Sequence, residues 1–217
     1  MAVHKRSSLK DIAEALGLSK TTVSFVLNGK ANEYHIGEET AKRVWEMAER
    51  LQYNPNFTAI SLRDGCSKIL GIVVSDISNP FFASLARLYE DEAAKLGYTV
   101  FFGSSDENAD KMQQAIRNLI ARGVDGLIVV PCQDSETFIS SLVPRGIPLV
   151  LLDRYFPHQE INYVALDNFE ATRQATAYIL GKGSKQPTIV AYDIDLIHMH
   201  ERIRGYEQAM ADKGMSA

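Results

Sequence analysis

The feature that most limits the fold is a set of four short apolar runs: KILGIVVS at 68–75, YTVFFGSS at 98–105, DGLIVVP at 125–131 and IPLVLLD at 147–153. Each is rich in β-branched or aromatic residues and nearly unbroken, the pattern of a strand buried on both faces of a parallel sheet. Helical periodicity fills the gaps, at about Phe81 to Leu96, Asn108 to Arg122 and Ser135 to Val143. Strands and helices in alternation specify a doubly wound α/β domain. Ligands of such sheets sit beyond the carboxyl ends of the strands, which puts Ser75 and Asp76, Ser104 and Ser105, Pro131, and Asp153 with Arg154 on one rim. Any one of these reads equally well as a loop residue, and their convergence is what makes them candidates.

The first 51 residues follow a different grammar. Ser8 with Asp11 forms a capping box ahead of Ile12, Ala13 and Leu16; Gly17 stops that helix, and Ser19 is a natural cap for the next. On the second helix Thr22, Val23, Val26 and Leu27 form one stripe, and Lys20, Thr21, Ser24, Phe25 and Asn28 form the opposite one. The first stripe needs a core. The second carries one Lys among five positions and a Phe, where a merely solvated face usually carries more charge. Short hydroxyl and amide side chains suit base edges in a DNA major groove, and two helices joined by a tight glycine turn make a helix-turn-helix. A third helix at about Glu38 to Leu51, with Ala41, Val44, Ala48 and Leu51 inward, completes a three-helix core.

Charge agrees once it is divided. The 217-residue chain carries a net −4, but residues 1–63 have nine Lys and Arg against seven Asp and Glu, while residues 64–217 have fourteen against twenty. The acidic surplus therefore sits away from the proposed DNA-binding end. His4, Lys5 and Arg6 form a small basic arm suited to phosphates, or equally a frayed polar terminus. No run approaches the roughly 18 apolar residues of a membrane span, and MAVHKRSSLK has no apolar signal core, which predicts a cytoplasmic protein with no membrane partner. Cys66 and Cys132 make no C-x-x-C and read as reduced thiols. Between the two grammars lies YNPNFTAISLRDG at 53–65, where Pro55 breaks the chain and Asn56 can cap a helix too short to be stable without a partner.

The succession LKDIAEALGLSKTTVSFVLNGK, YNPN…SLR, LGIVVSDISNPFF, GVDGLIVVP, LVLLDR, VALDN and RIRGY resembles the lactose-repressor and galactose-repressor family of bacterial transcription factors along nearly the whole chain. The resemblance implies an all-α headpiece at 1–51, a hinge at 52–67, the first lobe of a periplasmic-binding-protein-like core at 68–166 and the start of a second lobe at 167–217. It implies a homodimer on a pseudo-palindromic double-stranded operator, released or retained by a small-molecule effector, in most relatives a sugar or sugar derivative.

Carried over residue by residue, the resemblance assigns DNA contact to Ser19, Lys20, Thr21, Thr22, Ser24, Phe25 and Asn28. Lys20 and Thr21 match positions that vary with the operator, and Thr22 and Asn28 match phosphate-facing or structural ones. Many relatives have Arg where Phe25 stands, so a guanine contact gives way to a thymine-methyl contact. In the hinge Asn56, Ala59 and Leu62 match DNA-contacting positions, Leu62 as the minor-groove wedge, while Ile60 stands where an Arg is frequent. Effector contact falls to Asp76, Phe81, Phe82, Ser104, Asp153 and Arg202, with Arg204 the lesser choice; of the two phenylalanines one should wall the pocket and one the core.

Two rivals remain in view. An enzyme would need a phosphate loop or an acid-base constellation, and no G-x-x-x-x-G-K, G-x-S-x-G or H-E-x-x-H occurs. His198 and His200 have strand-face spacing and no nearby Cys, so neither a metal nor a cofactor is expected. A binding protein with no regulatory role would explain the α/β core but not Ser8 to Leu51. After Asp167 there is room for a helix at about Asn168 to Leu180, a strand at PTIVAY and a helix near Arg202 to Lys213, an incomplete lobe. On that expectation the chain binds effector weakly, dimerises poorly and cannot be induced, or even binds DNA weakly.

Overall fold

The structure is a computed structural model that describes residues 7–54, 61 and 65–216. The chain divides into two compact units, 1–63 and 64–217.

In the first unit the local signals act as read. Ser8 accepts from the Asp11 amide while Asp11 accepts from the Ser8 amide at 2.7 Å, and helix α1 runs Leu9–Leu16. Gly17 ends it in the left-handed region at φ 66°, where an L side chain would be strained. Ser19 accepts from the Thr22 amide at 3.0 Å and opens α2, Lys20–Leu27; α3 spans Glu38–Arg50. Ile12, Ala13, Val23, Val26, Val44 and Ala48 form the buried core where the three meet. The Ser7 hydroxyl donates to the Leu51 carbonyl at 2.7 Å, tying the start of α1 to the end of α3.

The second unit is built on a five-stranded parallel sheet, order β2-β1-β3-β4-β5. The strands are β1 Ile69–Val74, β2 Thr99–Ser104, β3 Gly126–Val129, β4 Leu149–Leu152 and β5 Tyr163–Val164. Helices α4 Pro80–Lys95, α5 Ala109–Ala121 and α6 Glu136–Ser140 follow the first three. Alternation along the strands sends Val73, Leu127, Val129 and Leu151 to one face, with Met112 and Ile116 of α5 and Ile139 of α6. Ile72, Val74 and Leu152 pack with Phe82 of α4 and with Val130 in a second cluster, the two-sided covering of a doubly wound sheet.

Several expectations change. β2 is an edge strand, so its run is not buried on both faces: Phe101 and Phe102 are 39% and 38% exposed. The third helix of this unit stops at Ser140 and gives way to a 3₁₀ turn at Val143–Arg145, with Pro144 inside it. After Asp167 come α7, Asn168–Gly181, and α8, Ile197–Ala211, the latter beginning five residues before Arg202. PTIVAY is not a strand. None of the described strands lies beside it to complete a ladder, and Val190 and Tyr192 are 95% and 77% exposed. His198 and His200 therefore stand on a helix, one buried and one exposed.

Candidate functional site

The outward stripe of α2 is partly committed to the helix itself. Lys20 and Thr21 are exposed at its first turn. Ser19 and Thr22 share a hydroxyl contact at 2.9 Å in addition to the cap bond. The Asn28 side-chain amide donates to the Ser24 carbonyl at 2.7 Å and to its hydroxyl at 3.2 Å, closing the last turn. Ser24 keeps its own hydroxyl proton for a partner. Phe25 is half-buried because the ring of Tyr34 lies flat on it. Asn56, Ala59 and Leu62, together with His4, Lys5, Arg6 and Ile60, lie outside the described residues.

The second candidate is the rim at the carboxyl ends of β1 to β4. Beyond β1, Asp76 accepts from the Ser78 amide at 2.8 Å and hydroxyl at 2.7 Å, and Asn79 caps α4. Beyond β2, the Ser104 hydroxyl donates to Asp106 at 2.5 Å and accepts from the Ile77 amide, so it braces the two loops against each other. Beyond β4, Asp153 is held left-handed at φ 64° while its amide donates to the Val164 carbonyl. Arg154 then crosses the rim: its two terminal nitrogens donate to the two carboxylate oxygens of Glu107, both at 2.7 Å, and one also donates to the Pro131 carbonyl at 3.0 Å. That guanidinium holds the Glu107 carboxyl below the usual carboxylate range.

Elements after residue 166 face this rim. Asn168 is buried, donates to the Leu166 carbonyl at 3.0 Å and accepts from Arg202 Nε at 2.8 Å. His198, 4% exposed, is pushed down to about 4 by burial and then by the positive charges of Arg154 and Arg202. It is therefore neutral at pH 7. Among the described residues two buried nitrogens here have no hydrogen-bond partner, Arg154 Nε, which has only an ion-pair contact to Asp153 at 3.9 Å, and His198 Nδ1. A cavity of about 300 Å³ is lined by His198 with Tyr155, Tyr163, Asp167, Asn168 and Glu201 among others, and Arg154 is not among its lining residues. The rings of Tyr155 and Tyr163 are stacked at 4.2 Å. A buried nitrogen without a hydrogen bond is costly, and a ligand hydroxyl in this cavity could satisfy His198 Nδ1.

Placed on this geometry, Asp76, Ser104, Asp153 and Arg202 all fall on the rim or facing it. Phe81 is 52% exposed at the start of α4. Of the two phenylalanines Phe82 takes the core place: at 4% exposure it packs against Ile72, Val74, Val130 and Leu152. Arg204 is exposed, ion-paired to Glu201 and over the Phe169 ring, which leaves Arg202 as the residue turned inward. Glu107, Asn168 and His198 were missed. Nothing in their spacing announces them; only the unusual presence of a buried arginine on the rim demands a carboxylate such as Glu107.

A helix-turn-helix headpiece joined to a sheet with a strand-end cleft defines a two-part regulator architecture. Residues 8–56 match the model described as bacterial regulatory proteins, lacI family, and residues 67–217 match periplasmic binding proteins and sugar binding domain of LacI family. The chain belongs to this family. It is 33% identical to the sucrose operon repressor of Klebsiella pneumoniae over 98% of this chain and 63% of that protein. It is 32% identical to the transcriptional repressor PurR of Aliivibrio fischeri over 97% of this chain and 62% of that one. It thus spans less than two thirds of the length of these relatives. The lac repressor dimer bound to operator and the anti-inducer ONPF superposes with a TM-score of 0.83 at 23% identity, over 98% of this chain and 64% of that one, a likeness of fold.

Proposed function

We propose that the chain is a sequence-specific DNA-binding transcriptional repressor whose operator affinity is set by a small-molecule effector, a sugar or sugar derivative. It works in the cytoplasm as a homodimer on a pseudo-palindromic operator and is not an enzyme. One observation carries the reading: the same chain holds a capped helix-turn-helix with a small, nearly uncharged outward face and a cleft lined by His198, whose buried Nδ1 has no hydrogen-bond partner among the described residues. Lys20 and Thr21 read bases, because base contacts specify while phosphate contacts position. In the cleft Asp153 accepts from effector hydroxyls, Arg202 and His198 contact the effector from α8, and Phe81 lies against a sugar ring.

Relatives named as repressors of a sucrose operon and of PurR type support the assignment. The test is a binding-site selection with the chain on randomised double-stranded DNA, repeated with a panel of sugars and sugar phosphates. A two-fold symmetric consensus whose retention one sugar class changes is the expected outcome. Retention of DNA without any consensus would remove the regulator reading and leave a small-molecule-binding protein.

A further inference from the structure

The loop between α2 and α3 is more ordered than a connection requires. The Lys30 amide donates to the Phe25 carbonyl at 2.8 Å, the Tyr34 amide to the Lys30 carbonyl at 3.2 Å, and the Ile36 amide to the Ala31 carbonyl at 2.8 Å. His35 takes the left-handed region at φ 52°, uncommon for a non-glycine residue. Ala31 and Ile36 pack against the headpiece core and anchor both ends of the curl. The outcome is that Tyr34 lies flat on Phe25, with ring centroids 3.5 Å apart and planes 5° from parallel.

Two facts show that this stack is not simply core. Tyr34 is 45% exposed, and Phe25 stands on the side of α2 away from buried Val23 and Val26, among Thr21, Ser24 and Asn28. An uncovered Phe on a helix surface samples more than one χ1 well. A ring fixed on one face cannot, and it meets a partner with its rotamer entropy already lost. Phe25 has no hydrogen-bonding group to offer, so the feature of a major groove it can recognise is the thymine methyl.

We propose that Tyr34 is a positioning residue for base readout: it locks Phe25 so that Phe25 discriminates thymine at one position of each half-site. The proposal rests on α2 being the base-reading helix. The experiment is binding-site selection with the full chain and its Tyr34→Phe, Tyr34→Ala and Phe25→Ala variants. Wild type and Tyr34→Phe should yield the same consensus. Tyr34→Ala and Phe25→Ala should both lose discrimination at the same base pair by roughly fivefold or more, with the other positions kept. An even loss of affinity in Tyr34→Ala with the base preference intact would overturn the proposal and leave the stack as packing. A wild type that selects no consensus would instead remove the underlying reading of α2, a different failure. Far-UV circular dichroism checks that Tyr34→Ala is folded; should it not be, Tyr34→Leu, which keeps apolar cover without a flat ring, is scored by the same criterion.

Discussion

His198 is buried beside two guanidinium groups, and burial decides its charge. Its pKa of about 4 in the folded chain lies below the ordinary 6.5. Between those values the unfolded chain binds a proton that the folded chain does not, so stability rises with pH across that interval. Stability should therefore fall as pH drops below about 6.5 and stop falling on this account near 4. The carboxyl of Glu107 is also held below its ordinary 4.5, by its hydrogen bonds to Arg154, so its contribution is present above 4.5 and lost only as pH falls below it. The window from pH 6.5 to 5 thus isolates the histidine. Urea unfolding at pH 7, 6 and 5 should show a loss for the wild type that His198→Asn lacks, and equal slopes for the two would show that His198 is charged when folded. At this scale the sequence was least informative. Asp153 and Arg202 could be placed by motif, but the Arg154–Glu107 pair joins residues 47 apart, and nothing local to either signals the other.

At the scale of elements, hydrophobic period and caps carried most of the fold. The two helix starts at Ser8 and Ser19 were legible because a side-chain oxygen there satisfies an amide of the next turn, a strictly local event. The edge position of β2 was not legible, since an apolar run reads the same whether one or two neighbours flank it. PTIVAY failed for a related reason: strand propensity records fitness for a sheet, and the sheet must be supplied from elsewhere. Gly205 makes the opposite point, a single residue that fixes the spacing of two helices. A Cβ built there would lie 2.2 Å from the Phe169 carbonyl oxygen, so α7 and α8 approach backbone to backbone. Gly→Ala inside a helix ordinarily stabilises by about 1 kcal/mol. Here backbone would have to move, an overpacking cost of about 1–3 kcal/mol, so the clash outweighs the propensity gain. Gly205→Ala should lower the unfolding free energy, and a variant as stable as wild type in urea would show that the helices can part freely.

At the scale of the whole molecule, the two units have separate cores and opposite charge balance, and this makes their stabilities separable. Among the described residues the first rests on six buried apolar side chains, the second on clusters on both faces of a five-stranded sheet. Small cores give small stabilities because a short chain buries a smaller fraction of its surface. The chain has one tryptophan, Trp45, on α3 of the first unit, 54% exposed beside an apolar groove formed with Leu27, Ala48 and Tyr53. Its fluorescence therefore reports headpiece unfolding, whereas far-UV circular dichroism sums both units. On heating, the tryptophan transition should come first and the remaining circular dichroism signal should be lost at higher temperature. Gly205→Ala should move the second transition and leave the first within about a degree, since distant sites without shared partners contribute independently. Val23→Ala, a truncation in the headpiece core, should lower the tryptophan transition alone. Coincident shifts of both probes in either variant would mean that the units unfold as one cooperative body, and the separation of cores described above would then have no thermodynamic meaning.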